Sequence, residues 1–355
     1  MKFTTRCLFT AAAAAGLAVS APAEMKTGTP AIQSVTALAF GPDGVLFVGD
    51  PQSATVFAVA TGDTKGTAAK ELNVANLGDA VGSALGTTAA NVAVNDVKVN
   101  PASGTVYLAV TRGKGKDAQP LLLTLDAKGQ VKEFKLTDVK FDSVALPNAA
   151  EKQRLEAITS LGFVEGKLVV AGLSNEEFAS TLRAIAYPFK DKADPTSVEI
   201  YHGAHGRYET NAPVRTFVPY KIGGADYLMA AYTCTPLVKV PLSDLKPGTK
   251  VKGTTIAELG NRNRPLDMIV YSKGGVDYVL MANNARGVMK IPTEGFATAE
   301  PLATPVKGGG AAGVKFETIA ELKGVVQLDK LDSERAVVLI ANDDKTLTLK
   351  AVPLP

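Results

Sequence analysis

The sequence predicts an all-β protein: a single ring of six four-stranded antiparallel units, a six-bladed β-propeller. Three observations predict it. Alternating apolar stretches separated by Gly-marked turns run along most of the 355 residues. A unit of strand, tight turn, strand, polar corner and strand recurs at a spacing of about 50–60 residues, a period typical of propeller blades. No long helical pattern interrupts the series, and radial repetition is one of the few ways an all-β chain protects its sheet edges.

The clearest unit is Arg264–Lys290. Met268–Tyr271 is its first strand, Gly274-Gly275 a hairpin turn, Asp277–Ala282 the second strand, Asn283–Gly287 the corner and Val288–Ile291 the third strand. The other units follow it. In the first, Val35–Phe40, Val45–Val48 and Thr55–Ala60 surround the turn Gly41–Gly44 and the corner Gly49–Ser53, with Glu71–Ala75 as fourth strand. The second follows the Gly/Ala-rich stretch 78–93 with Asn95–Asn100, Thr105–Thr111, Pro120–Leu125 and Val131–Leu136. Before the third, Ala149–Ala157 carries helix formers enough for about two exposed turns. Ile158–Val164, Lys167–Gly172, Leu182–Tyr187 and Ser197–Tyr201 then make the third unit. Val214–Tyr220, Asp226–Tyr232, Leu237–Val240 and Thr254–Leu259 make the fourth. Val314–Leu322 is expected as the late fourth strand of the fifth. Val325–Leu328, Ala336–Ala341 and Leu347–Pro353 form a sixth that lacks a fourth strand, so a segment near Ala31–Gln33 or just before it is expected to join this blade and close the ring.

Residues 1–23 read as a cleaved signal peptide, with the propeller domain spanning 24–355. Lys2 and Arg6 give the positive start, and Ala21-Pro22-Ala23 is an A-x-A cleavage site. The apolar segment Cys7–Val19 is roughly 13 residues against the about 20 that a membrane span needs. Export to a periplasm, or secretion, is the expectation. The whole chain has 38 Lys and Arg against 35 Asp and Glu, and removal of Lys2 and Arg6 brings these almost to balance. No concentrated basic surface points to nucleic acid. Only Cys234 remains after cleavage, so no internal disulfide forms, and a leftover thiol in an oxidising compartment marks a residue to follow.

The absence of Trp excludes the Trp-Asp repeat family. Asp-Gly or Gly-Gly hairpins, each followed by an apolar strand ending in a polar corner, resemble the six-bladed propellers of the NHL and SMP-30/gluconolactonase type. The resemblance is one of unit rhythm over most of the chain. It implies a divalent metal in the central channel held by a Glu, two Asn and an Asp, but that set does not align residue by residue here, which puts lactonase chemistry in doubt.

In such a ring, the entrances to the inner strands and the corners between second and third strands converge on one channel mouth, a concave place that suits a ligand. The entrances offer Asn95, Asp96, Glu156, Arg215, Arg264, Asp267 and Gln327. The corners offer Asp50, Asn175, Glu176, Cys234, Asn283, Asn284, Arg286, Asn342 and Asp343. Taken singly, these are ordinary turn residues. Two clusters are denser. Tyr201–Thr210 holds both histidines of the chain, spaced H-x-x-H, in the loop into the fourth unit. His202, His205, Glu209 and Cys234 can meet there, and two imidazoles with a thiolate suit copper or zinc. Calcium on channel carboxylates and amides is the other metal expectation. Gly260–Asp267 brings Arg262, Arg264 and Asp267 to the next entrance, with Asn283, Asn284 and Arg286 from the same unit's corner and Arg215 from the neighbouring entrance. Arginines so placed clamp a carboxylate or phosphate in two-pronged fashion.

The chain thus reads as an exported ligand- or metal-binding protein, in its enzymatic form a metal-dependent hydrolase, with catalytic residues unassigned. The other reading is a non-catalytic scaffold for a periplasmic partner protein. The partners expected are a small anionic ligand, a metal ion or that protein. There is no C-x-x-C-H for covalent haem, no nucleotide-binding glycine loop, and no G-x-S-x-G or H-E-x-x-H. Gly308–Gly310 reads as flexible linker.

Overall fold

Six antiparallel sheets are arranged as blades around an axis in the computed structural model, which describes residues 25–355 except 67, 69, 70, 191 and 235. The leader at residues 1–23, with its Cys7, lies outside the described residues. The innermost strands of blades one to six are Ala37–Phe40, Val92–Val99, Ser160–Val164, Thr216–Ile222, Pro265–Lys273 and Val325–Lys330. Every hairpin after them follows the expected alternation. In blade five, for example, Met268 opposes Met281 and Tyr271 opposes Tyr278.

The order of blades around the axis differs from their order in the chain. Blade one sits between blades two and three, and blade two closes the ring against blade six. The hydrophobic layers show the same order. Leu38, Leu46 and Val59 of blade one pack on Tyr107 and Leu122 of blade two. Phe47 and Val56 of blade one pack on Leu161, Leu168 and Val170 of blade three. Val97 and Leu108 of blade two pack on Val337 and Leu339 of blade six.

Two strand exchanges produce this order. After Thr55–Ala60 the chain leaves blade one, and Asn73–Val74 pairs with Leu347–Pro353 as the fourth strand of blade six. The chain then builds blade two and returns through Val139–Ala145, which pairs with Thr55–Ala60 as the fourth strand of blade one. Lys26–Gly28 adds a fifth strand there. The segment 71–75 therefore belongs to the last blade and not to the first. The blade-six gap is filled by that segment and not by residues near Ala31–Gln33. Those residues are held elsewhere: buried Asp50 accepts the N–H groups of Gln33 (2.7 Å) and Ser34 (3.0 Å) and ties the lead-in to blade one's own corner.

Three further differences have local causes. The stretch 78–93 contains the helix Leu77–Ala84, capped by Asn76, which accepts the Asp79 N–H (3.2 Å) and so satisfies one open donor of the first turn. Leu77 and Val81 of this helix fill the layer between blades two and six. The helix expected over 149–157 is reduced to the 3-10 turn Arg154–Ala157, because the segment bonds to blade corners instead of to itself. The Ala150 N–H donates to Leu173 O (3.1 Å), and Arg154 Nε donates to Gln52 O (3.1 Å). The expected strand 314–322 narrows to Glu317–Ile319, while Ala311–Gly313 becomes a fifth strand of blade four. Gly313 permits this: its φ is +76°, and a Cβ there would lie 2.1 Å from Ile256 O.

At the axis, carboxylates on inner strands staple blade to blade. Asp96 Oδ2 of blade two accepts the Leu38 N–H of blade one (2.7 Å). Asp329 Oδ2 of blade six accepts the Val99 N–H of blade two (2.7 Å). Asp267 Oδ2 of blade five accepts the Leu328 N–H of blade six (3.2 Å). The ladder register shifts next to Asp96 and Asp267, and such bulges re-aim side chains. Lys98 stands among the three acids, 3.5 Å from both oxygens of Asp267 and 3.8 Å from Asp96. Burial alone would lower the Lys98 ammonium, but Asp267, Asp96 and Asp329 more than reverse this and hold it well above its usual range. Burial pushes Asp96 up to about 7, against the pull of Lys98. Burial raises Asp329 too.

Two outcomes follow for stability. Lys98→Met strands buried carboxylates without their counter-charge and is expected to cost about 3–5 kcal/mol in urea unfolding at pH 7. A loss under about 1 kcal/mol would contradict the staple. Asp96 has its folded pKa raised, so its contribution to stability is fully present below its unfolded value near 3.8 and is lost as pH rises through about 7. Asp96→Asn is therefore expected to cost more at pH 4.5 than at pH 7.5, and an equal cost at both would contradict the shift.

Candidate functional site

The two histidines are placed by an overhanging strand. Thr196–His202 pairs with blade three only at its start, through Thr196 and Ser197. It then runs on toward blade four and folds back through the turn 203–206 into Arg207–Glu209, with His202 opposite Arg207. The His205 and Gly206 N–H groups close this turn on His202 O, at 3.1 and 2.8 Å. The imidazoles lie face to face with ring centroids 3.9 Å apart and planes tilted by 36°.

Glu209 bridges the pair. Its Oε2 lies 2.7 Å from His202 Nδ1 and its Oε1 2.6 Å from His205 Nδ1. With both Nδ1 atoms facing one carboxylate, the neutral rings carry their protons there and leave Nε2 as a lone pair. His202 is 2% exposed, and its Nε2 has no partner among the described residues. Burial lowers its pKa, with the Glu209 hydrogen bond opposing. Burial would raise Glu209, but the bonds from His202 and His205 outweigh it and leave that carboxyl below its ordinary value.

Cys234 completes the group from the corner of blade four. Its φ is +62°, in the left-handed region, and its N–H donates to Asn263 O (2.7 Å). One ligand atom each from His202, His205 and Cys234 lie within 4.8 Å of one another. The sequence-predicted quartet of His202, His205, Glu209 and Cys234 is thus brought together, with Glu209 behind the imidazoles.

Glu258 was not among the sequence candidates. It is fully buried in Thr254–Leu259, and its Oε1 accepts the Gly203 N–H (2.5 Å) in the histidine turn. Its Oε2 has no partner among the described residues. Burial pushes this carboxyl up to about 7, with the N–H groups of Gly203 and Ala204 opposing. The only sequence signal was a lone acid between apolar residues near the end of the strand.

The channel mouth is a separate feature on the same face. A cavity of about 460 Å³ is lined by Arg215, Arg264, Glu156, Asn95 and Gln327 at the inner-strand entrances, with Asp96, Lys98 and Asp267 among its deeper residues. Neither histidine nor Cys234 lines it. Arg215 Nη1 donates to Glu156 Oε2, and Arg215 Nε donates to Thr233 Oγ1 (3.2 Å), next to Cys234. The two features are therefore neighbours. The Arg264 backbone is clamped by Asn284, which accepts its N–H at Oδ1 (2.7 Å) and donates to its carbonyl (3.1 Å).

The remaining candidates stand elsewhere. Asn283 is buried in blade five's corner, where its Nδ2 donates to Asn263 Oδ1 (2.8 Å) and its Oδ1 accepts from Ala285 and Arg286. Arg286 Nη2 donates to Asn261 O (3.2 Å). Arg262 is exposed with φ +54°. None of these three lines the channel cavity. The axial carboxylates surround the Lys98 ammonium, so the axis already holds a cation where a divalent ion was expected.

No protein-family model matches the chain, and no curated protein matches it. Among solved structures it is similar to the PQQ-bound form of aldose sugar dehydrogenase from Streptomyces coelicolor, at 12% identity and a TM-score of 0.31 over 93% of this chain and 97% of that one. It is also similar to a protein described as an oxidoreductase of the glucose dehydrogenase kind from Thermus thermophilus, at 12% identity and a TM-score of 0.35 over 93% of this chain and 99% of that one. Likenesses of this size say nothing about this chain's chemistry.

Gly203 sits where backbone must pass close to the buried acid. A Cβ there would lie 2.9 Å from Glu258 Cγ and 2.9 Å from Val306 Cγ2. Gly203→Ala is expected to cost about 1–3 kcal/mol by overpacking. Unchanged thermal stability would contradict the close approach.

Proposed function

We propose that this chain is a metal-binding propeller in which His202, His205 and Cys234 hold one copper or zinc ion. One observation carries the reading: donors from two loops, about 30 residues apart in sequence, converge with both imidazoles already oriented by a single carboxylate, the arrangement that supports metal-ligating histidines. Two nitrogens and a thiolate suit these ions better than calcium, which takes oxygen donors. A shift of about an ångström in the side chains brings the three donors to the 2.0–2.3 Å that such an ion requires. The leader at residues 1–23 supports export, and metal binding gives a lone thiol in an oxidising compartment a use.

Three protein donors leave one coordination position open. His205, with its side chain 45% exposed, brings that position toward the surface. In the enzymatic form of the reading, the open position holds a water that the ion acidifies, and hydrolysis is the reaction class that follows. A surface used only to hold a partner protein would not need two imidazoles aligned on one carboxylate.

Elemental analysis of the mature protein from an exported fraction tests this. About one copper or zinc per chain is expected, lost in His202→Ala/His205→Ala and weakened at least tenfold in Cys234→Ser, with circular dichroism showing all three folded. Failure of the wild type to take up either added ion would overturn the reading. So would equal uptake by the folded double variant.

A further inference from the structure

We infer that Glu258 is the positioning residue of the metal site, holding the histidine turn in the shape that aims both imidazoles at one ion. The inference deepens the metal reading and rests on it. Glu258 is fully buried in Thr254–Leu259, where Ile256, Ala257 and Leu259 belong to the apolar layer between blades four and five. A buried acid is costly, and a core built only for stability takes an apolar side chain at such a place. The carboxylate's bonds lie in the histidine turn. Oε1 accepts the Gly203 N–H (2.5 Å), and the Ala204 N–H bonds the same carboxyl. Oε2 has no partner among the described residues. The acid is thus spent on the two residues that follow His202.

The same strand holds the backbone on both sides of His202. Thr255 Oγ1 donates to Tyr201 O (2.6 Å), so the residue before His202 is fixed through its carbonyl and the residue after it through its N–H. A strap from blade five supplies the opposite grip. Its ends are fastened to that strand, by the Leu302 N–H on Thr255 O (2.9 Å) and the Val314 N–H on Ile256 O (3.1 Å). Between them the Val306 N–H donates to Gly203 O (2.9 Å), so both backbone polar groups of Gly203 are taken. Further along, Gly309 O accepts the Asn261 N–H (3.0 Å), two residues before the Asn263 carbonyl that fixes the Cys234 N–H (2.7 Å). Glu258 also lies opposite Pro236 in the sheet, two residues past Cys234. It therefore stands at the junction of the two loops that bring the donors. Loss of a partner that orients metal ligands from behind lowers metal affinity.

Zinc and copper affinities, measured by competition with a chromophoric chelator, test this together with amide hydrogen exchange of the metal-free protein. Glu258→Ala is expected to bind the ion about 10- to 100-fold more weakly than the wild type. Glu258→Gln keeps an acceptor for the Gly203 N–H and is expected to recover most of that loss. Val306→Pro removes the donor on the other side of Gly203 and is expected to weaken binding about 3- to 10-fold. In metal-free Glu258→Ala, exchange at residues 203–206 is expected to quicken at least about tenfold while the strands of blade two keep their protection, the mark of a released turn on an intact ring. Wild-type affinity in the folded Glu258→Ala protein would overturn the inference and leave the metal reading standing. So would a loss in Glu258→Gln as large as in Glu258→Ala, or unchanged exchange at the turn. Failure of the wild type to take up either ion would instead overturn the metal reading, and the inference with it.

Discussion

The contact between Lys98 and the axial acids is the constraint on which the ring depends. Six inner strands meet at the axis with backbone donors that have no partner inside their own blade. Asp96, Asp267 and Asp329 each reach across a blade boundary to accept one of them. Bringing three carboxylates together in a buried place is unfavourable unless a cation joins them. Lys98 supplies it, and being on blade two it sits beside the seam where blade two meets blade six. The same ammonium separates the channel mouth from the opposite end of the axis, since it lines cavities on both sides.

The exchanged strands act on a larger scale. Blade one is completed only when Val139–Ala145 returns from beyond blade two, and blade six only when Asn73–Val74 arrives from before it. Each exchange closes a seam with a segment remote in sequence, so the ring is fastened by non-local pairing in place of a disulfide. Such pairings come with a loop-closure cost that local hairpins avoid.

Much of this was legible in the residues. The six hairpins were, because short turns between alternating strands fix register locally, Asp43-Gly44 in blade one and Gly-Gly in blades four and five being the plainest. The convergence of His202, His205, Glu209 and Cys234 was legible because the entry into a blade's inner strand and the corner between its second and third strands share one face in a propeller. Ring order was not. Asn73–Val74 is a two-residue strand, too short to show a period, and nothing in its composition says which edge it covers. Val139–Ala145 lies in a stretch without a hairpin turn, so it had no local partner to reveal it. Glu258 escaped notice because its role comes from burial under the histidine turn, a tertiary fact. Arg262, Asn283 and Arg286 had the right composition for a ligand site, but the bonds of Asn283 and Arg286 belong to blade five's corner and Arg262 is exposed away from the channel cavity.

The histidine turn and the channel mouth lie side by side, joined through Arg215 and Thr233. The central claim is that the ion belongs to the histidine turn and not to the axis. Anomalous diffraction at the metal edge, from crystals of copper- or zinc-loaded protein, tests it most directly. The account predicts one strong peak within bonding distance of His202, His205 and Cys234, with Glu209 behind both rings. A peak on the axis among Asp96, Asp267 and Asp329, or an empty histidine site in loaded crystals, would contradict it.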